Sequence, residues 1–232
     1  MDFLLARNVS FSRTTGSETV RLSDVTLGFE SASLNLLFGG HGSGRNLLLR
    51  LLGLLERPDA GEILIGGQST SDWTEAQCAS LRSRHFGFIF EAPLLLPTFN
   101  VAENIAMPLF KLTEATPQQA REETHRVLEH VGLADFGDSD IEALPLWVQQ
   151  RVALARALVT QPQALFVEDL DTLSRDGDLI SLLELLAATR RSFGCCIIAT
   201  AASRDLVRFA NRAVEMVEGR VVRDWQPGGL RS

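Results

Sequence analysis

The chain has no tyrosine, three cysteines, four histidines and a single lysine, Lys111, among 22 basic residues. Cys78 and the adjacent Cys195-Cys196 make neither a disulfide framework nor a metal set. Cys195-Cys196-Ile197-Ile198 reads as a buried strand whose thiols pack as small apolar groups. His41, His85, His125 and His130 share no ligand spacing and read as solvated positions. No apolar run approaches the roughly 18 to 20 residues needed to span a bilayer. The start, Met1-Asp2-Phe3, lacks the basic region of a signal peptide. A cytoplasmic location is therefore expected, with any membrane link made through a partner. A net charge of -7 argues against nucleic acid, whose phosphates call for a basic face.

What is present is organised around Leu37-Phe38-Gly39-Gly40-His41-Gly42-Ser43-Gly44-Arg45-Asn46-Leu47-Leu48-Leu49. A short apolar strand, Leu34 to Phe38, runs into a glycine-rich turn. The turn feeds a leucine-rich helix, expected from Arg45 to about Leu55. Strand, glycine loop and helix in that order build a phosphate-binding loop, with backbone N–H groups turned inward and the positive end of a helix behind them. Gly39 and Gly44 meet the spacing of G-x-x-x-x-G-K-[ST]. Arg45 then stands where that pattern has lysine, and Asn46 where it has the hydroxyl that holds magnesium.

At 232 residues the chain can bury one large core. Residues 3 to 36 alternate in short segments and predict short antiparallel strands. Strands are expected at Glu62 to Ile65 and Phe86 to Phe90. Helical patterns dominate from about Pro93 to Leu158, at Val101 to Leu109, Pro117 to Val131 and Val148 to Leu158. Continuous apolar runs return at Ala164 to Val167 and Cys195 to Thr200, each followed by a helix, which indicates a parallel sheet covered on both faces. Two short strands flank the turn Glu218-Gly219. The expected fold is α/β: one domain over 1–232, a mostly parallel sheet, an N-terminal antiparallel β subdomain and an inserted helical subdomain. The α/β core is assigned to 1–92 and 160–232, the helical subdomain to 93–159.

This order of segments resembles the ATP-binding subunits of ABC transporters, a P-loop NTPase fold, over nearly the whole length. Leu95 to Leu109 looks most like the subfamily serving lipoprotein-releasing, macrolide-exporting and cell-division permeases. Gln149-Gln150-Arg151-Val152-Ala153-Leu154-Ala155-Arg156-Ala157-Leu158 is similar to the helix after the family's signature. The resemblance implies a two-subunit sandwich, with each ATP between the phosphate loop of one subunit and the signature L-S-G-G-Q of the other.

Carried over by position, the resemblance implies a nucleotide site at Gly39, Gly40, His41, Gly42, Ser43, Gly44, Arg45 and Asn46. The adenine-stacking aromatic falls on Arg13, with Phe11 better suited to the core. The magnesium- and water-sensing glutamine falls on Glu91. The signature falls on Pro145, Leu146, Trp147 and Val148, where proline has no N–H to offer and the bulky side chains block close backbone approach. Glu168 takes the place of the magnesium-holding aspartate, so the metal positions are Asn46, Glu91 and Glu168. Asp169 takes the place of the catalytic glutamate, and Ala202 that of the γ-phosphate histidine. Arg175 stands where the communicating loop ends in aspartate. Leu94, Leu95, Leu96 and Phe99 read as the permease-docking surface.

From these departures the sequence alone leads to a non-catalytic subunit, a pseudo-ATPase, docked on a lipid- or lipoprotein-type permease at the inner face of the membrane. Asp169, Glu91 and Ala202 would be vestiges. No cofactor would be required, and ATP with magnesium would bind weakly at most. The partners would be the permease and a second ABC subunit, identical or an active paralogue. The alternative is a divergent but active ATP-hydrolysing subunit energising the same kind of transporter.

Overall fold

The computed structural model describes residues 2–16, 18–173 and 179–227. Two strands, β1 (Leu4–Thr15) and β2 (Glu18–Phe29), open the chain as a hairpin. β3 (Leu34–Phe38), α1 (Arg45–Leu52), β4 (Ala60–Ile65) and β5 (Gln68–Ser69) follow. Next come α2 (Glu75–His85), β6 (Phe86–Ile89), α3 (Val101–Leu112), α4 (Pro117–His130) and α5 (Leu146–Leu158). β7 (Ala164–Val167), α6 (Leu179–Phe193), β8 (Cys196–Ala201), β9 (Arg212–Val217) and β10 (Arg220–Trp225) close the chain.

The strands form two sheets. One is antiparallel, in the order β2-β1-β4-β5. The other runs β10-β9-β3-β8-β7-β6 and is parallel from β9 to β6, with β10 antiparallel at its edge. β3, β7 and β8 are buried along their whole length, which is why they read as unbroken apolar runs rather than alternation. α1 lies between the sheets. Its Leu47, Leu48, Leu49, Leu51 and Leu52 join one core with Leu4, Val9 and Ile63 from the first sheet and Phe166 and Ile198 from the second. A second core on the opposite face gathers α3, α5 and α6.

Several boundaries differ from the sequence reading. The N-terminal strands are 12 residues each rather than short pieces. Their interruptions are bulges, at which Asn8 and Asp24 take positive φ and the Asn8 amide donates to Asp24 Oδ1 at 3.1 Å. α1 stops at Leu52, not Leu55. Gly53 caps it, Leu54 turns left-handed (φ 56°), and the Leu55 N–H returns to the Arg50 carbonyl. α5 begins at Leu146 because Pro145, which cannot donate, serves as its N-cap.

α2, α3 and α4 each open with a reciprocal capping box: Thr74 with Gln77, Asn100 with Glu103 and Thr116 with Gln119. Cys78, Cys195 and Cys196 are free and buried, and burial pushes the last two thiols up to about 11 and about 12. His130 is not solvated as expected. It is half-buried, with Nε2 2.8 Å from Thr189 Oγ1 and its ring edge-on to Phe193. Among the described residues, no helix is long and apolar enough to cross a membrane.

Candidate functional site

The glycine loop sits between β3 and α1 at the carboxyl edge of the parallel strands, where an open α/β sheet places its ligands. Glycine at 39 and 44 is a packing requirement. A Cβ at Gly39 would lie 2.2 Å from the Met216 carbonyl oxygen. At Gly44, φ is 86° and a Cβ would lie 2.8 Å from Leu22. Ser43 N–H donates back to the Gly40 carbonyl at 3.1 Å, and Gly219 N–H donates to the Ser43 carbonyl at 3.0 Å. The β9–β10 turn thus braces the loop from below. The turn at Glu218-Gly219 was expected from the sequence; its contact with the loop was not.

Arg45, first residue of α1, folds back into the loop. Its Nη1 donates to the carbonyls of Gly39 (2.7 Å) and Gly40 (2.9 Å), and its Nη2 to Asp169 Oδ1 (2.8 Å). The Asn46 amide nitrogen takes the other oxygen, Oδ2, at 2.6 Å. Asp169 follows β7 in a left-handed conformation (φ 50°), and its N–H donates to Thr200 Oγ1 at 2.8 Å. Phosphate loop, β7 and β8 are therefore joined by one hydrogen-bonded cluster. Three polar atoms beside it, Ser43 Oγ, Arg45 Nε and Asn46 Oδ1, are shielded from solvent and have no hydrogen-bond partner. Buried polar groups are rarely left so, and three neighbours in one loop mark a place built for a ligand.

These residues line a cleft of about 450 Å³ together with Arg13, Arg50 and Glu168. Glu56 accepts from Arg50 Nε (2.7 Å) and pairs with Arg13 (2.5 Å), so Arg13 is held at the cleft wall by an ion pair. Phe11 packs against the core beneath. Burial raises the Glu168 carboxyl above the usual carboxylate range; Arg50 opposes that shift, while Asp169, Glu91 and Glu56 add to it. Glu91 is exposed, two residues past the end of β6. Ala202 carries no donor side chain, but its N–H and that of Ser203 both donate to the Asp171 carboxylate, tying the segment after β8 to the one after β7.

At the start of α5, Leu146 is exposed, Trp147 lies over the Arg151 guanidinium and Val148 is buried. Pro145 spends its carbonyl on the N–H groups of Val148 and Gln149. Arg175 lies outside the described residues.

Magnesium demands near-octahedral oxygen ligands at about 2.0–2.1 Å. The only side-chain oxygen of Asn46 is neutral, its amide nitrogen faces the nearest carboxylate, and both oxygens of that carboxylate are already taken. Glu168 faces Arg50 Nη1 at 3.9 Å. Among the described residues, no three His, Cys, Asp or Glu side chains converge to hold an ion. Two guanidinium groups at the position oppose a third cation. Asn46, Glu91 and Glu168 do not by themselves form a resident magnesium site; a magnesium ion here would arrive with the nucleotide's phosphates, and Asn46 Oδ1, which has no partner, is the loop side-chain oxygen left to meet it.

Away from the cleft, α3 and α4 enclose an apolar groove of about 680 Å³. Phe99 lines it, as do Met107 and Phe110, which the sequence reading missed. The signal was there: 103, 106, 107 and 110 fall on one helical face. Leu94 and Leu96 are exposed, whereas Leu95 turns inward against the core, unlike the outward position expected of it. Arg156 of α5 donates to the carbonyls of Leu94 (2.7 Å) and Pro93 (2.9 Å) and so holds this loop.

Residues 22–169 match the family model described as ABC transporter. The chain is 36% identical over 190 residues to the lipoprotein-releasing system ATP-binding protein LolD of Chromohalobacter salexigens, covering 80% of this chain and 78% of the relative. It is 34% identical over 203 residues to LolD of Bordetella pertussis, with 88% and 87% covered. It is 34% identical over 212 residues to the macrolide export ATP-binding/permease protein MacB of Burkholderia pseudomallei, covering 89% of this chain but only 31% of that longer protein. Among solved structures, a dimeric ATP-binding cassette in a post-hydrolysis state with ADP and Pi superimposes with a TM-score of 0.85 at 24% identity, over 98% of this chain and 100% of that one.

These relatives overturn the expectation of a non-catalytic subunit. Proteins alike over four-fifths or more of the chain are ATP-binding components of release and export systems, and the fold neighbour was caught with the products of hydrolysis. Arg45, Asn46 and Asp169 meet in one hydrogen-bonded cluster. Binding of ATP with magnesium is consistent with the fold. This chain belongs to the ABC transporter family of ATP-binding proteins.

Proposed function

We propose that this chain is an ATP-hydrolysing subunit that pairs with a second such subunit and energises a membrane permease for lipoprotein-type or related export. The observation that carries the reading is the phosphate loop with its three unpartnered polar atoms, in a chain 36% identical to an ATP-binding protein of a lipoprotein-releasing system. The loop N–H groups and the positive end of α1 receive the phosphates. Arg45 supplies fixed charge. Asp169, anchored through its backbone to Thr200, is the carboxylate placed to take the proton of an attacking water as the terminal phosphoryl group leaves ADP. In this reading Glu91 approaches the same water from the end of β6.

The groove between α3 and α4, with Leu94, Leu96 and Phe99 on its approach, is the surface for the permease; its apolar floor and the charged rim of Glu103, Lys111 and Arg121 suit an amphipathic helix. The subunit then sits peripherally on the membrane, held by that partner.

The test is phosphate release by the subunit reconstituted with its permease. Gly44→Asp forces a carboxylate into the loop, and Asp169→Asn removes the base; each is expected to lower turnover by about 10²-fold or more. Release no greater than that of Gly44→Asp would end the reading.

A further inference from the structure

Asp169 is held by its backbone as well as by its side chain, and the two sets of contacts come from different places. Its carboxylate meets Arg45 and Asn46, side chains of the loop assigned to phosphate. Its peptide groups meet two threonines outside that loop. The Asp169 N–H donates to Thr200 Oγ1 at 2.8 Å. The Asp169 carbonyl accepts from the Thr172 hydroxyl at 2.8 Å and from the Thr172 N–H at 2.9 Å. Leu170 N–H donates in turn to the Thr200 carbonyl at 2.8 Å. Thr200 thus receives two consecutive N–H groups, one on its side chain and one on its backbone.

The place of Thr200 in the sheet suits it to that task. It is fully buried in β8 between Ala199 and Ala201, in a strand whose other residues are all apolar. β8 is flanked by β3 and β7, and the ladder with β7 ends at Val167 opposite Ala199. One step further along β8, Thr200 meets the chain as it leaves β7. Its β-branched side chain is restricted at χ1, and a buried hydroxyl is costly unless paired. Here the partner is the residue at the position of the base. Asp169 is also left-handed (φ 50°), a conformation that its surroundings have to impose. An aspartate has only two side-chain torsions, so where its backbone is fixed its carboxylate follows closely.

We propose, on the reading that Asp169 is the base for ATP hydrolysis, that Thr200, with Thr172, is a positioning residue. The two hydroxyls grip the Asp169 backbone from its N–H and carbonyl sides. The carboxylate, once released by Arg45 and Asn46, then lies where the attacking water is. A misplacement of about 1 Å costs on the order of 10²-fold in rate, so the anchor acts on the chemical step. Thr200 does not line the cleft, and nucleotide affinity is outside its reach.

The experiment is phosphate release against ATP concentration in excess magnesium by the full-length subunit reconstituted with its permease. Wild type, Thr200→Val, Thr200→Ser, Thr172→Val and Asp169→Asn are compared, together with the Kd of each purified chain for ADP. Valine keeps the branched shape and removes the acceptor. It is expected to lower kcat about 10- to 100-fold, with KM and the ADP Kd within about twofold of wild type. Serine keeps the hydroxyl and should stay within about threefold of the wild-type kcat. Thr172→Val leaves the Thr172 N–H on the same carbonyl and should lower kcat about threefold. Circular dichroism and the thermal midpoint report folding; should Thr200→Val not fold, the half-buried Thr172 carries the test.

Thr200→Val or Thr172→Val turning over at the wild-type rate, while Asp169→Asn is inactive, overturns the inference and leaves the base reading standing. So does a loss of kcat that serine does not rescue, or a KM that rises as kcat falls, the mark of a merely structural role. Asp169→Asn turning over like wild type overturns both, as does wild-type release no greater than that of Gly44→Asp.

Discussion

Arg45 and Asp169, 124 residues apart in sequence, meet at 2.8 Å with both side chains largely shielded from solvent. The pair closes the distance between the first turn of α1 and the end of β7, the two elements that a bound nucleotide would also bridge. Its removal should be felt without any ligand. Asp169→Ala leaves a guanidinium with two carbonyl acceptors and no counter-charge, and should lower the unfolding free energy of the free chain by about 1–3 kcal/mol. Urea denaturation with and without ADP checks this, since ligand binding should recover more stability in the variant than in wild type.

Gly219 should tolerate no side chain. Its φ is 77°, and a Cβ would lie 1.8 Å from the Arg21 carbonyl oxygen. It also brackets the phosphate loop, donating to Ser43 O and accepting from Ser23 N–H. Gly219→Ala is expected to cost about 3 kcal/mol or more. A thermal melt measures the loss, and nucleotide affinity should fall with it.

Phe110 is 58% exposed on the groove between α3 and α4. Phe110→Ser should therefore change stability by no more than about 0.5 kcal/mol. If the groove receives the permease, the same change should reduce co-purification with it several-fold and lower permease-stimulated phosphate release while leaving nucleotide affinity unchanged.

His130 links α4 to α6 through Thr189, and burial together with Arg126 lowers its pKa below the ordinary value of 6.5. Below 6.5 the unfolded chain binds a proton that the folded chain resists, so the unfolded state gains. The stability is fully present above pH 6.5 and declines as pH falls from there through the lowered folded value. Replacing the imidazole with an uncharged ring, His130→Phe, should flatten that part of a stability–pH curve. An unaltered slope would place the titrating group elsewhere.

The architecture was open to reading because its signals are local. Unbroken apolar runs at Ala164–Val167 and Cys195 to Thr200, each followed by a helical pattern, read as strands covered on both sides, and the structure places strands at Ala164–Val167 and Cys196–Ala201. The loop was equally plain from Gly39 and Gly44. The character of the site was not. Judged one at a time, Arg45, Asn46 and Asp169 each look like a loss relative to the family, which led to a subunit without catalysis. Only the folded arrangement shows that the three side chains meet, because the contacts join residues more than 120 positions apart. Similarly, the inward turn of Leu95 follows from left-handed Leu94 (φ 49°) just before it, a backbone choice that no leucine announces.

One contact makes a lever of α5. Leu146 in its first turn is exposed, and its Arg156 grips the carbonyls of Pro93 and Leu94, roughly 15 Å along the axis at 1.5 Å per residue. A rod held at one end by a backbone clamp cannot tilt alone. Any shift of α5 must carry with it the connection from β6 to α3 beside the groove, or break the two hydrogen bonds that join them.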